Sequence, residues 1–228
     1  MQVQPYFPVP EVVAGNVASA PYDARLRFIR KLADRHLLMI LGGTGITAAL
    51  VHWVPESIPP FWTDVILLVV SLLIASGLRK LGQGRAPDKL SQLFIPIVVV
   101  LAARLAGALM LLGIDVWPVP VASLATWLYA RLCGRDFSFV GQFVLSLLFT
   151  LGLIIGAGLY FHRPYVNWGT GLPIAILWLS YLTYDSAALL QRRRPNEVWM
   201  AVLDLFRDTL NFISYTFKVI HHWRTFRI

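Results

Sequence analysis

"SYLTYDSAALLQRRRPNEVWMAVLDLFRDTLNF", residues 180–212, sets Asp185, Asp204 and Asp208 into two apolar runs joined by a short basic turn. Pro195 stops one helix; Asn196 stands where a cap is expected and Glu197 in the first turn of the next. In the second run Asp204, Arg207, Asp208 and Asn211 fall at i, i+3, i+4 and i+7, one face of a helix, while Val202, Leu205, Phe206, Leu210, Phe212 and Ile213 stay apolar. At membrane depth such a face must turn toward other helices or a water-filled cavity and away from lipid. Asp185 lies about ten residues before Pro195 and Asp208 about thirteen after it, so an antiparallel pair of helices brings the two to similar depths.

The rest of the chain makes membrane depth the right frame. Of 228 residues, 57% are hydrophobic and 14% charged, with a mean hydropathy of +0.64, too apolar for an ordinary soluble domain. A hydrocarbon core about 30 Å thick asks for about 20 apolar residues per helix. Such runs fall at residues 36–54, 61–78, 90–114, 116–133, 139–161 and 172–190, with a weaker one at 197–217. Prolines and glycines punctuate the gaps. The expected architecture is an all-α integral membrane protein: an extended N-terminal tail (1–24), a seven-helix transmembrane bundle (25–217) and a basic aromatic C-terminal tail (218–228). No basic n-region precedes a compact apolar stretch at the N-terminus, so a cleaved signal peptide is not expected.

The net charge of +8 does not point to nucleic acid, because the basic residues cluster in short segments between apolar runs, as loops on an anionic leaflet do. Arg25, Arg27, Arg30, Lys31 and Arg35, then Arg79, Lys80, Arg85 and Lys89, then Arg131 and Arg135, then Arg192, Arg193 and Arg194 occupy alternate gaps. This places the N-terminus on the cytoplasmic side of a bacterial inner membrane, or the equivalent side of an organelle membrane. Seven spans put Lys218, Arg224 and Arg227 on the far side, against the rule, unless the last helix is re-entrant. The single cysteine, Cys133, excludes an intramolecular disulfide and a cysteine-based metal cluster. Trp53, Trp62, Trp117 and Trp168 fall near span ends, as an aromatic belt requires.

Two carboxylates in one dehydrated site do not both ionise cheaply, so Asp185 and Asp208 are expected to share a proton and act as a pH-sensitive latch. The alternative is static: Asp185 bonded to Tyr184, Ser186 or an amide, with Asp204 and Asp208 neutralised by Arg207 and Arg104 as helix-helix glue. Arg104 is central in the third run and too deep to snorkel, so it needs an acid, with Asp185 or Asp208 expected. Pro96 is expected to kink the same helix. Asp64 reads as interfacial.

The segments "RLRFIRKLADRHLLMI", "GRDFSFVGQF", "YLTYDSAALL" and "AVLDLFRDTLNF", in this order and spacing from about Arg25 onward, resemble the signature segments of the Bax inhibitor (transmembrane Bax-inhibitor-motif) family. The resemblance implies a bundle whose semi-polar last helix is wrapped by the others, and a pH-dependent calcium leak governed by two aspartates. By position these correspond to Asp185 and Asp208, with Asn211 as the family's asparagine and Arg79 as the arginine that latches the closed pair. Family members also modulate cell death or bind membrane proteases and other membrane complexes. This chain departs from the family pattern in Arg207, where an aliphatic residue is usual, in Asp204, where an asparagine-like residue is usual, and in Arg104. Cations close to the pore would neutralise the aspartates and repel calcium.

No permanent cofactor is expected. Calcium prefers about six to eight oxygen ligands, so Asp185 and Asp208 with waters would make a weak, transient site, which suits permeation. Expected partners are the lipid bilayer and other membrane protein subunits, with no nucleic acid. A non-conducting subunit or regulator of a larger membrane assembly is the rival reading, motivated by the extra arginines and the tails. An intramembrane aspartyl protease also pairs a Tyr-Asp with an aspartate on the next helix, but Asp208 lacks flanking glycines and has Arg207 beside it. No phosphate loop, metal-ligand histidine spacing or nucleophile elbow is present, so no enzymatic activity is expected.

Overall fold

In the computed structural model the described residues are 12–55, 61–80, 85–114, 116–132, 139–161 and 168–209. Among them lie seven α-helices and no strand: α1 (Tyr22–Trp53), α2 (Phe61–Lys80), α3 (Arg85–Leu111), α4 (Pro118–Leu132), α5 (Phe139–Phe161), α6 (Trp168–Arg192) and α7 (Val198–Asp208). The protein is an all-α membrane bundle. Tyr22–Trp53, Ala86–Leu111 and Gly171–Arg192 are long and apolar enough to cross a membrane, and Trp62–Ile74 and Gly141–Gly156 are shorter apolar helices. The outward faces agree: Ile66, Val70, Leu73 and Ile74 on α2 and Leu148, Phe149 and Ile155 on α5 are exposed, an arrangement water would oppose and lipid tolerates. Trp53 and Trp62, 76% and 71% exposed, project at helix ends.

The hydropathy runs locate the helices better than they bound them. The first run starts at residue 36, whereas α1 starts at Tyr22. At 1.5 Å per residue its 32 residues span about 48 Å, longer than a hydrocarbon core. Its early turns carry Arg25, Arg27, Arg30 and Lys31 and still bury Phe28 and Leu32. The segment expected as an extended tail is described from Val12: it makes a turn with Gly15 at φ 70° and a single 3₁₀ turn, Val17–Ser19, capped by Asn16. Pro96 lies inside α3.

α7 is packed by α1, α2, α3 and α6, so the semi-polar last helix is central. It buries Val198, Met200 through Phe206, and Asp208. The main core cluster joins Leu203, Leu205 and Phe206 of α7 to Tyr181, Leu182 and Leu189 of α6, Leu32 and Ile40 of α1, and Ile95 and Val98 of α3. Thr47 of α1 donates to Ala103 O of α3 at 3.0 Å, tying these helices where Gly43 meets Val99.

The start of α7 differs from the sequence expectation. Asn196 is exposed, and Glu197, the N-cap residue, makes no side-chain cap bond. The free amides of Trp199 and Met200 instead donate to Asp88 Oδ1 of α3, at 2.8 and 3.0 Å. A carboxylate from a neighbouring helix satisfies donors that the chain's own cap would otherwise take. Asp88→Ala should cost about 1–2 kcal/mol, the scale of a lost N-cap, read as a lower melting temperature in detergent, with Asp88→Asn retaining most of the stability.

Candidate functional site

The polar face of α7 meets the end of α6. Asp185 of α6 is fully buried and Asp204 and Asp208 of α7 are nearly so, and three arginines lie among them. Arg192 Nη1 is 3.3 Å from Asp185 Oδ1 and 3.2 Å from Asp208 Oδ2, so one guanidinium bridges a carboxylate on each helix. Arg193 Nη2 approaches Asp204 Oδ2 at 2.6 Å. Arg207 closes the group, with Nη1 3.1 Å from Asp204 Oδ1 and Nη2 2.6 Å from Asp208 Oδ1. Among the described residues three carboxylates face three guanidiniums, and these six groups, ionised, carry no net charge.

Local sequence explains the arrangement. Arg192 is seven residues after Asp185, two helical turns, and therefore on the same side of α6. Arg193 follows the last residue of α6, where its stem turns back over Met200, with Nη1 3.7 Å from Met200 Sδ. Tyr181 donates its hydroxyl to Leu205 O, fastening α6 to α7 beside the cluster. Tyr184 is buried on the same helix.

Arg192 and Arg193 are the residues the sequence reading missed. It assigns them, with Arg194, to a loop facing the leaflet. They are 7% and 3% exposed, and each lies within ion-pairing distance of a buried carboxylate. Arg207 pairs with Asp204 and Asp208. Arg104 is not part of the cluster: its Nε meets Asp64 Oδ1 of α2 at 3.1 Å, and Asp64 is fully buried where an interfacial position was expected. The correction has a simple cause, since α2 packs directly on α3 and offers an acid closer than the α6–α7 pair. The side chain of Arg79, although in α2, and Asn211 lie outside the described residues.

For cation chemistry the donor set is thin. Among the described residues no group of three or more His, Cys, Asp or Glu side chains could hold a metal ion, and Arg192 lies between the two carboxylates proposed for calcium. A second polar knot ties α1 to α4: Asp34 of α1 accepts from Trp127 Nε1 at 2.8 Å and from Arg131 of α4 at 2.5 and 3.0 Å. Both charged groups there are well exposed, so its contribution to stability is small.

No family model matches the chain, and no solved structure matches it. Among curated proteins it is similar to protein lifeguard 4 of Mus musculus, 25% identical over 221 residues that cover 90% of this chain and 88% of the mouse protein. The mouse protein is a member of the Bax-inhibitor-motif family, and the match, nearly end to end, supports the resemblance carried by the α6 and α7 motifs.

Proposed function

We propose that this chain is a Bax-inhibitor-type membrane regulator that leaks calcium in a proton-dependent way, with Asp185 and Asp208 as the latch and Arg192 as the cation that holds it shut. One observation carries the reading: a single buried guanidinium bridges carboxylates on two different helices. Protonating either aspartate removes one of the two ion pairs that tie α6 to α7 and weakens the hold on Arg192. Calcium, as cargo, would meet Asp185 and Asp208 once Arg192 has withdrawn, and two carboxylates with waters would bind it weakly enough to let it pass. Arg104 does not oppose this passage, since Asp64 holds it elsewhere.

A second reading, a non-conducting subunit or regulator of a larger membrane complex, is favoured by the same cluster counted by charge. Three arginines against three aspartates leave no net attraction for a cation. A proteolytic role is opposed, because guanidiniums against Asp208 disfavour the shared proton that activates water in aspartyl proteases.

Calcium-dye flux into liposomes, measured from about pH 8 to about pH 6, decides between the first two. The parent should leak faster as pH falls. Asp208→Asn, which removes one anion from Arg192, should leak at high pH and lose most of the pH dependence. Flux no greater than that of protein-free liposomes across the range, with stoichiometric co-purification of another membrane protein, would establish the second reading instead.

A further inference from the structure

The end of α6 is covered by the N-terminal segment. Val13 N–H donates to Gln191 O at 3.0 Å and Val17 N–H to Arg193 O at 2.8 Å. Gln191 is in the last turn of α6, where carbonyls lack an intrahelical donor, so the segment supplies what the helix end is missing. Arg194 Nε returns a bond to Ala14 O at 3.2 Å. Arg25, in the first turns of α1, donates to Ala20 O at 3.1 Å and to Ala18 O at 3.4 Å, fixing the other end of the segment. Between these ties Val17 is fully buried and belongs to the same apolar cluster as Leu189 and Leu190 of α6. Gly15 makes the reversal at φ 70°, the left-handed region in which a side chain is strained.

The residues held by these bonds, Gln191 through Arg194, include the two arginines that reach the carboxylate cluster. We propose that residues 13–20 form a strap that fixes the α6–α7 turn and so keeps Arg192 and Arg193 seated among Asp185, Asp204 and Asp208. The inference deepens the reading of the cluster as a latch: the strap is the second fastener of the same closed state, acting from the outside on the backbone whose side chains fasten it from the inside. Displacing the strap loosens the turn, and loosening the arginines frees the strap, because coupling between two sites is reciprocal.

Amide hydrogen exchange on the purified full chain in lipid nanodiscs tests this without any calcium, so that its outcome is independent of whether the protein conducts. Val17→Asp sets a charge in the apolar cluster and should release the strap. The turn and first residues of α7, 193–201, should then exchange roughly tenfold faster or more, the scale of one or two buried hydrogen bonds lost. In the reciprocal direction Arg193→Gln should speed exchange at Val13 and Val17 by a comparable factor. Gly15→Val is the milder variant where Val17→Asp fails to fold: a Cβ there meets nothing within 4 Å, so the change strains the backbone alone. A strap that exchanges freely in either variant while residues 193–201 keep the parent rate would overturn the proposal. Faster calcium flux in the Val17→Asp or Gly15→Val protein would connect the strap to the leak, and faster exchange at residues 193–201 without any flux would retain the strap while removing the leak.

Discussion

Arg192→Leu should lower the stability of the bundle by about 3–5 kcal/mol at neutral pH, the range for removing one partner from a buried ion pair. The effect is large because Arg192 serves two acids at once, at 3.3 and 3.2 Å, and is itself 7% exposed. Leucine leaves Asp185 without its cation in a fully buried position. Asp208 keeps Arg207. Proton uptake by Asp185 is the cheapest relief for such a site, and this fixes the sign of the pH dependence. The cost of leaving this charge in a dehydrated site exists only while Asp185 is ionised. The deficit relative to the parent should therefore shrink on acidification and widen on alkalinisation, as melting temperatures in detergent across a pH series would show. Arg192→Leu combined with Asp185→Asn should recover much of the loss at every pH, because the orphaned charge is gone. A deficit that is independent of pH, and is not recovered in the double variant, would mean that Arg192 acts through packing and not through charge.

The three aspartates and Arg207 are legible in the sequence and the two arginines from the end of α6 are not, for a physical reason. Asp204 and Asp208 stand out because charge at helical spacing inside an apolar run has few explanations. Arg192 and Arg193 stand in a run of three arginines next to a proline, the usual look of a loop on an anionic leaflet. Only the spacing of seven between Asp185 and Arg192 distinguishes an inward arginine from an outward one. The Asp64–Arg104 pair and the Asp88 cap depend on which helices are neighbours, and periodicity within one helix carries no information about that. Helix bounds follow the same logic. α5 agrees with its apolar run at both ends. α1 exceeds its run by fourteen residues (36 − 22), because its first turns are held by Phe28 and Leu32 in the core while charged side chains cover their other faces.

The second buried pair offers a contrast with the first. Asp64 of α2 is fully buried, and Arg104 of α3 sits against it with a third of its side chain exposed. Arg104→Leu should destabilise by about 3–5 kcal/mol by leaving Asp64 uncompensated, whereas Arg104→Leu with Asp64→Leu should return close to the parent or exceed it, since apolar replacement of a whole buried pair is often neutral or stabilising. Melting temperatures of the two single variants and the double variant form the cycle that separates the pair's coupling from the cost of an orphaned charge. The same double variant bears on function. Among the described residues neither Arg104 nor Asp64 is paired with a member of the α6–α7 cluster, so a bundle that keeps its stability should also keep the pH dependence of any calcium flux. Loss of that dependence in a stable Asp64→Leu, Arg104→Leu protein would move the latch from α6 and α7 to the α2–α3 interface, where the closed state would then be held by packing against α7 and not by Arg192.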